Sequence, residues 1–164
     1  MRPAVLFLDT NILLDCPRAG NYRMGGRRVT VVVIPEVLRE LRGLARSPDR
    51  GMVGPALEAL GTLEPLSRRG ASAGIPLGTS GTTIRILPGS AEAGERADRQ
   101  LVLRAKAEQD RSRGTLVAVV TKDWGVADLA RAEGVKSILI RGSASASEIL
   151  RGLAAHDTSV DMDL

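Results

Sequence analysis

The chain of 164 residues predicts an α/β fold, a three-layer α/β/α sandwich around a mostly parallel central sheet. Three observations lead there. Four short apolar runs, at 5–8, 29–34, 115–120 and 136–140, have the length and the Val/Ile content of strands buried on both faces. The segments between them carry apolar residues at helical spacing, and strands that alternate with helices build a parallel sheet covered on both sides. The first and third runs, AVLFLDTN at 4–11 and TLVAVVTKD at 115–123, each lead into an aspartate, Asp9 and Asp123. In an open α/β sheet, ligand chemistry gathers just beyond the carboxyl ends of the strands.

Each element follows in order. After the first strand, residues 11–16 read as a helix start capped by Thr10 or Asn11 and closed by Pro17 and Gly20. Residues 18–28, RAGNYRMGGRR, form a basic loop before the second strand. Pro35 suits a first helical position, and the helix through residue 46 has an apolar stripe of Val37, Leu38, Leu41 and Leu44, with Arg39, Arg42 and Arg46 pointing away. Residues 47–54 read as a turn-rich connection, and Pro55 opens a helix with Leu57, Leu60 and Leu63 on one stripe. The IPLGTSGTTIRIL stretch near 75–87 reads as a small β-hairpin insertion turning at Gly78–Gly81, or as a flexible insertion. A helix over 95–110, the third strand, a helix from Trp124 ended by Gly134, and the fourth strand come next. The last helix begins with Ser145 and Glu148 in capping-box spacing.

Composition bounds the function. Hydrophobic content of 43% and charged content of 26% are those of a soluble globular protein. The length suits one domain, expected over 1–155, with 156–164 an acidic and flexible tail. No apolar run approaches the roughly 20 residues of a membrane span. Arg2 and Pro3 lead straight into the first strand, leaving no room for a signal peptide, and the single Cys16 excludes an internal disulfide, so a cytoplasmic location is expected. The only histidine, His156, stands at the start of the tail, so a Ser–His or Cys–His nucleophile lacks a base and zinc lacks its usual ligands. Any catalysis must run on carboxylates. Phe7, Tyr22 and Trp124 are the only aromatics, which argues against a platform of stacked aromatics for nucleic acid. Net charge is +4; without Asp157, Asp161 and Asp163 the body carries 23 − 16 = +7, nearly all of it Arg. Such a surface suits a polyanionic partner, phosphate backbones first, although solubility alone also accounts for it.

Two further carboxylates reach the edge marked by Asp9 and Asp123. Asp98 shares a helical stripe with Leu101, Val102 and Ala105, so it points where the core points; burial there calls for a metal or a cationic partner, unless the residue only complements the helix dipole. Glu40 lies at the margin of its helix's apolar stripe, whereas Glu36 falls further round, as an exposed partner for nearby Arg. Asp123 also fits as the cap of the helix that begins at Trp124, and both roles are compatible.

The stretches FLDTNILLD, IPEVLRELRGL, ADRQLVLRA and VTKDWGVADLARAEGV, in this order over about residues 4–140, resemble a PIN-domain nuclease. The resemblance implies an acidic cluster that binds Mg²⁺ or Mn²⁺ and hydrolyses single-stranded or structured RNA. The family's acidic positions fall on Asp9, Glu40, Asp98 and Asp123, its polar support positions on Asn11 and Thr121. Length and the GIPLGTSGTTIRI stretch look more like the PIN domains of phosphate-starvation-type ATPases than like the shorter toxins, yet no P-loop is present. The roles left open are a housekeeping nuclease and a toxin with an antitoxin partner, and a homodimer is compatible with either. The basic loop, through Arg23, Arg27 and Arg28, together with Arg39 and Arg42, is the expected grip on RNA. Rival readings are a non-catalytic RNA- or protein-binding PIN module, a 5′ or flap-type DNA nuclease, and a receiver-like phospho-acceptor domain.

Overall fold

A computed structural model describes residues 2–89 and 96–157 in full, and the backbone alone over 158–162. The expected helix start at Glu95 and the tail residue Asp163 lie outside the described residues.

The four apolar runs are strands β1 (Ala4–Leu8), β2 (Val29–Val33), β5 (Leu116–Thr121) and β6 (Lys136–Leu139), joined by β3 (Ile75–Pro76) and β4 (Thr82–Ile86). The sheet order is β3-β4-β2-β1-β5-β6. All pairs are parallel except β3–β4, the expected hairpin. That hairpin is not an appendage. β4 pairs with β2 along its whole length, Val29↔Thr82 through Val33↔Ile86, so it extends the main sheet.

The helices are α1 (Thr10–Asp15), α2 (Pro35–Ala45), α3 (Arg50–Arg68), α4 (Ala97–Arg111), α5 (Trp124–Ala132) and α6 (Ala146–Met162). From β1 the chain moves to β2 and β4 on one side, then crosses to β5 and β6 on the other. Right-handed crossovers in opposite directions put helices on opposite faces. The contacts agree: α1, α2 and α3 touch one another, as do α4 and α5. The core between the layers is almost wholly aliphatic, with Leu6, Leu8, Val31, Val33, Ile84 and Leu116 fully buried. Among the described residues no helix is long and apolar enough to cross a membrane.

Three local expectations are corrected. Residues 50–54 are helical, because Asp49 caps α3 by accepting from Gly51 N (3.1 Å), and Pro55 lies inside the helix. The buried stripe of α3 is Ala56, Ala59, Leu60 and Leu63; of the expected Leu57, Leu60 and Leu63 only Leu57 falls outside it, at 55% exposure. The third correction concerns the C-terminus. α6 runs through residue 155 without a break, His156 Nε2 donates to Ser137 O (2.8 Å), and Asp157 pairs with Arg27, so the start of the acidic tail is docked on the body.

Candidate active site

β1 has β2 on one side and β5 on the other, so the direction of winding reverses between β1 and β5. This is the switch point at which α/β sheets open a crevice. Asp9 follows β1 and Asp123 lies two residues past β5. α2 contributes Glu40 and the first turn of α4 contributes Asp98. All four carboxylates line one cleft of about 540 Å³, with Asn11, Glu36, Arg39 and Arg96 also on its walls.

Asp9 is the most constrained of the four, at 7% exposure. Its Oδ1 accepts from Thr10 N (2.8 Å), and its Oδ2 from Thr121 Oγ1 (2.6 Å) and Asn11 Nδ2 (3.3 Å). Thr121 Oγ1 in turn accepts from Asp123 N (3.0 Å), and Asn11 Oδ1 accepts from Lys122 N (3.1 Å). Asn11 and Thr121 thus tie the end of β1 to the turn after β5. Asp98 Oδ1 accepts from Arg99 N (2.8 Å) and lies 3.7 Å from Arg96 Nε. Asp123 Oδ1 accepts from Gly125 N (2.7 Å), so the capping role is real. The second oxygen of each has no hydrogen bond among the described residues.

The cluster carries an electrostatic cost. Burial pushes the Asp9 carboxyl above its ordinary 3.8, and the charges of Asp123 and Asp98 push it further, against the hydrogen bonds from Thr121 and Thr10. Partial desolvation in the cleft lifts Glu40 above 4.5, helped by the Asp9 and Asp98 charges. The folded protein therefore keeps protons that the unfolded chain has released. The stability tied to these two groups is full below their ordinary values and declines as pH rises through the raised ones. Asp98→Asn removes a charge that lifts both. It should stabilise the metal-free protein at neutral pH by up to about 1 kcal/mol, given its partial exposure, and so raise its melting temperature. The gap should narrow as pH falls toward the ordinary carboxylate range. Thermal melts in chelator across that range check this, and a variant that melts below its parent at neutral pH contradicts it.

Glu36 departs from expectation. It is buried, at 6% exposure, and its Oε1 accepts from Arg104 Nη2 (3.0 Å) of α4. A single apolar stripe cannot foresee this, because α2 meets α4 on a second face. Glu36 is thereby the structural acid of α2, while Glu40 is exposed to the cleft. Glu36→Gln should lower stability by about 1–2 kcal/mol, since Arg104 is left facing an uncharged partner. Glu40→Gln should leave the melting temperature near the parent's and depress activity. Denaturation and rate measurements on both variants separate the roles.

The arginines divide. Arg39 lines the cleft, and Arg42, paired with Glu64 (3.1 Å), borders an adjoining hollow. The 18–28 loop instead returns to the amino ends of the strands. Arg28 O accepts from Ala4 N (3.0 Å), and Arg23 packs beside Gly78 of the β3–β4 turn. A five-residue strand separates that edge from Asp9 by about 16 Å. Arg27 is itself buried against Asp157, so it is unavailable to RNA. The loop is held there by Tyr22, whose hydroxyl donates to Cys16 O (2.6 Å), and by Met24 N, which donates to Thr82 Oγ1 (2.7 Å). The cleft arginine missed from sequence is Arg96, two residues before Asp98.

The donor set is all oxygen, with no histidine or cysteine on the cleft wall, and it suits a hard divalent cation. Among the described residues no three such side chains already close on a single point.

A mostly parallel sheet with a carboxylate-lined cleft at its switch point is compatible with a nuclease-type fold. The chain belongs to the PIN-domain family, which matches residues 6–141, and PIN domains are generally nucleases. Among solved structures, the chain is similar to one described as a domain of a functionally unknown protein from Methanocaldococcus jannaschii DSM 2661. The TM-score is 0.53 at 16% identity, covering 85% of this chain and 92% of that one, a likeness of fold alone. No curated protein matches the chain.

Proposed function

We propose that the chain is a divalent-metal-dependent endoribonuclease whose Mg²⁺ or Mn²⁺ is held by Asp9, Glu40, Asp98 and Asp123. The observation that carries this reading is the convergence of four carboxylates from four separate elements on one cleft, with two of them destabilised as free anions. A bound divalent cation offsets such repulsion, activates water for in-line attack and relieves the charge that grows on the phosphate. The chain's own residues supply the rest. Thr121 and Asn11 fix the Asp9 carboxylate, so that little reorganisation is needed when substrate arrives. Arg39 and Arg96, on the walls of the cleft, would meet the flanking phosphates.

End-labelled single-stranded RNA, incubated with Mn²⁺ or Mg²⁺ and with chelator, tests the proposal. Cleavage that stops in EDTA and leaves 5′-phosphate and 3′-hydroxyl ends supports it. Cleavage that survives EDTA, or ends bearing 2′,3′-cyclic phosphate, refutes it. The same sequence as DNA separates a ribonuclease from a flap-type DNA nuclease.

A further inference from the structure

The only tryptophan in the chain stands at the first position of α5, directly after Asp123. It is 56% exposed and takes no part in the core, to which α5 contributes Val126, Ala127 and Ala130. Nothing in the packing requires an indole there. Arg141, from the segment after β6, places its guanidinium over the ring, 5.1 Å from the centroid. Together with Lys122, Leu139 and Ile140 they border a hollow of about 330 Å³. Lys122 is held by Asp15, whereas Arg141 has no ion-pair partner among the described residues. The hollow flanks the same turn after β5 that delivers Asp123 to the cleft, with Trp124 Cα about 3.8 Å from that of Asp123. An exposed indole with a guanidinium over one side of its ring, and no ion-pair partner for that guanidinium among the described residues, is a surface for a flat, apolar group attached to an anion.

We infer that Trp124 and Arg141 form a nucleotide subsite beside the cleft, in which one base of single-stranded nucleic acid stacks on the indole and Arg141 meets its phosphate. The inference rests on the proposed nuclease function. It adds what that function lacks: a contact that tells single strand from duplex, because only an unpaired base exposes its face to a side chain.

The sole tryptophan makes the site its own probe. In the full-length protein with EDTA present, RNA binding is followed by anisotropy of a labelled single-stranded oligonucleotide and, in parallel, by tryptophan emission. Emission should be quenched with the same midpoint as the anisotropy change. An oligonucleotide of abasic sugar-phosphate should bind more weakly and leave emission unquenched. Trp124→Ala should weaken binding about 5- to 150-fold, the range for one base–aromatic stack, with an unchanged melting temperature, and Trp124→Phe should recover most of the loss. If RNA binds but emission and the Trp124→Ala affinity stay unchanged, or the abasic strand quenches equally, the subsite is overturned and the nuclease proposal stands. If RNA binds in neither readout, with or without added Ca²⁺ as a non-catalytic cation, both are overturned.

Discussion

Asp9→Asn is expected to slow Mn²⁺-dependent RNA cleavage by about 10²–10⁴-fold, the range seen when an essential proton-handling or charge-bearing group is removed. The size follows from its surroundings. Asp9 is the acid that the fold holds most firmly, with three donors on its two oxygens and almost no access to solvent. An amide of the same shape cannot carry the negative charge that a cation requires. It also presents an N–H₂ group toward the Thr121 and Asn11 donors, so the local network must turn over. The loss must not come from unfolding. Asp9 is an anion raised by burial and by two neighbouring charges, so its neutralisation relieves repulsion, and the variant should melt close to the parent. Single-turnover rates and thermal melts on the same preparations test both halves. A variant that keeps more than a tenth of the parent rate removes Asp9 from the reaction.

The second large effect lies away from the cleft. Asp157→Ala should destabilise the protein by about 3 kcal/mol, the lower end of the range for breaking a buried ion pair, because Asp157 keeps some contact with water. Arg27 is 3% exposed at its side chain and donates through Nη1 and Nη2 to both carboxylate oxygens of Asp157. Its Nε is buried without a partner, so loss of Asp157 leaves a desolvated cation almost bare. Arg27→Met with Asp157→Leu should cost less than either single change, which shows that the charge left behind, and not the pair itself, sets the penalty. Chemical denaturation of the three variants decides it. Equal stability of parent and Asp157→Ala would mean that α6 beyond His156 does not bear on the body.

These two effects mark how far the sequence could be read. Asp9 and Asp123 were legible because a buried parallel strand is a short apolar run and its carboxyl end is where chemistry collects. Glu40 was legible from helical phase, and Asp98 from sharing a stripe with Leu101, Val102 and Ala105. What failed were contacts between distant segments. Glu36 meets Arg104 across 68 positions, and Arg27 meets Asp157 across 130, so local periodicity placed one in solvent and composition placed the other on an RNA-binding surface. The alternation of β4 was visible in TTIRI, but its parallel pairing with β2 was not. Gly51 and Gly54 read as part of a turn and Pro55 as a helix start, yet the Asp49 cap and the packing of Ala56 and Leu60 carry the helix back to Arg50. Low aromatic content describes the chain as a whole and says nothing of one indole beside the cleft.

Calorimetric titration of Mn²⁺ into the metal-free protein tests most directly whether the four acids form one metal centre. The parent should bind Mn²⁺, and Asp9→Asn, Glu40→Gln, Asp98→Asn and Asp123→Asn should each weaken that binding at least about tenfold, while Glu36→Gln should bind as the parent does. A parent that takes up no Mn²⁺, or four variants that bind it as tightly as the parent, would contradict a carboxylate metal site at the end of β1.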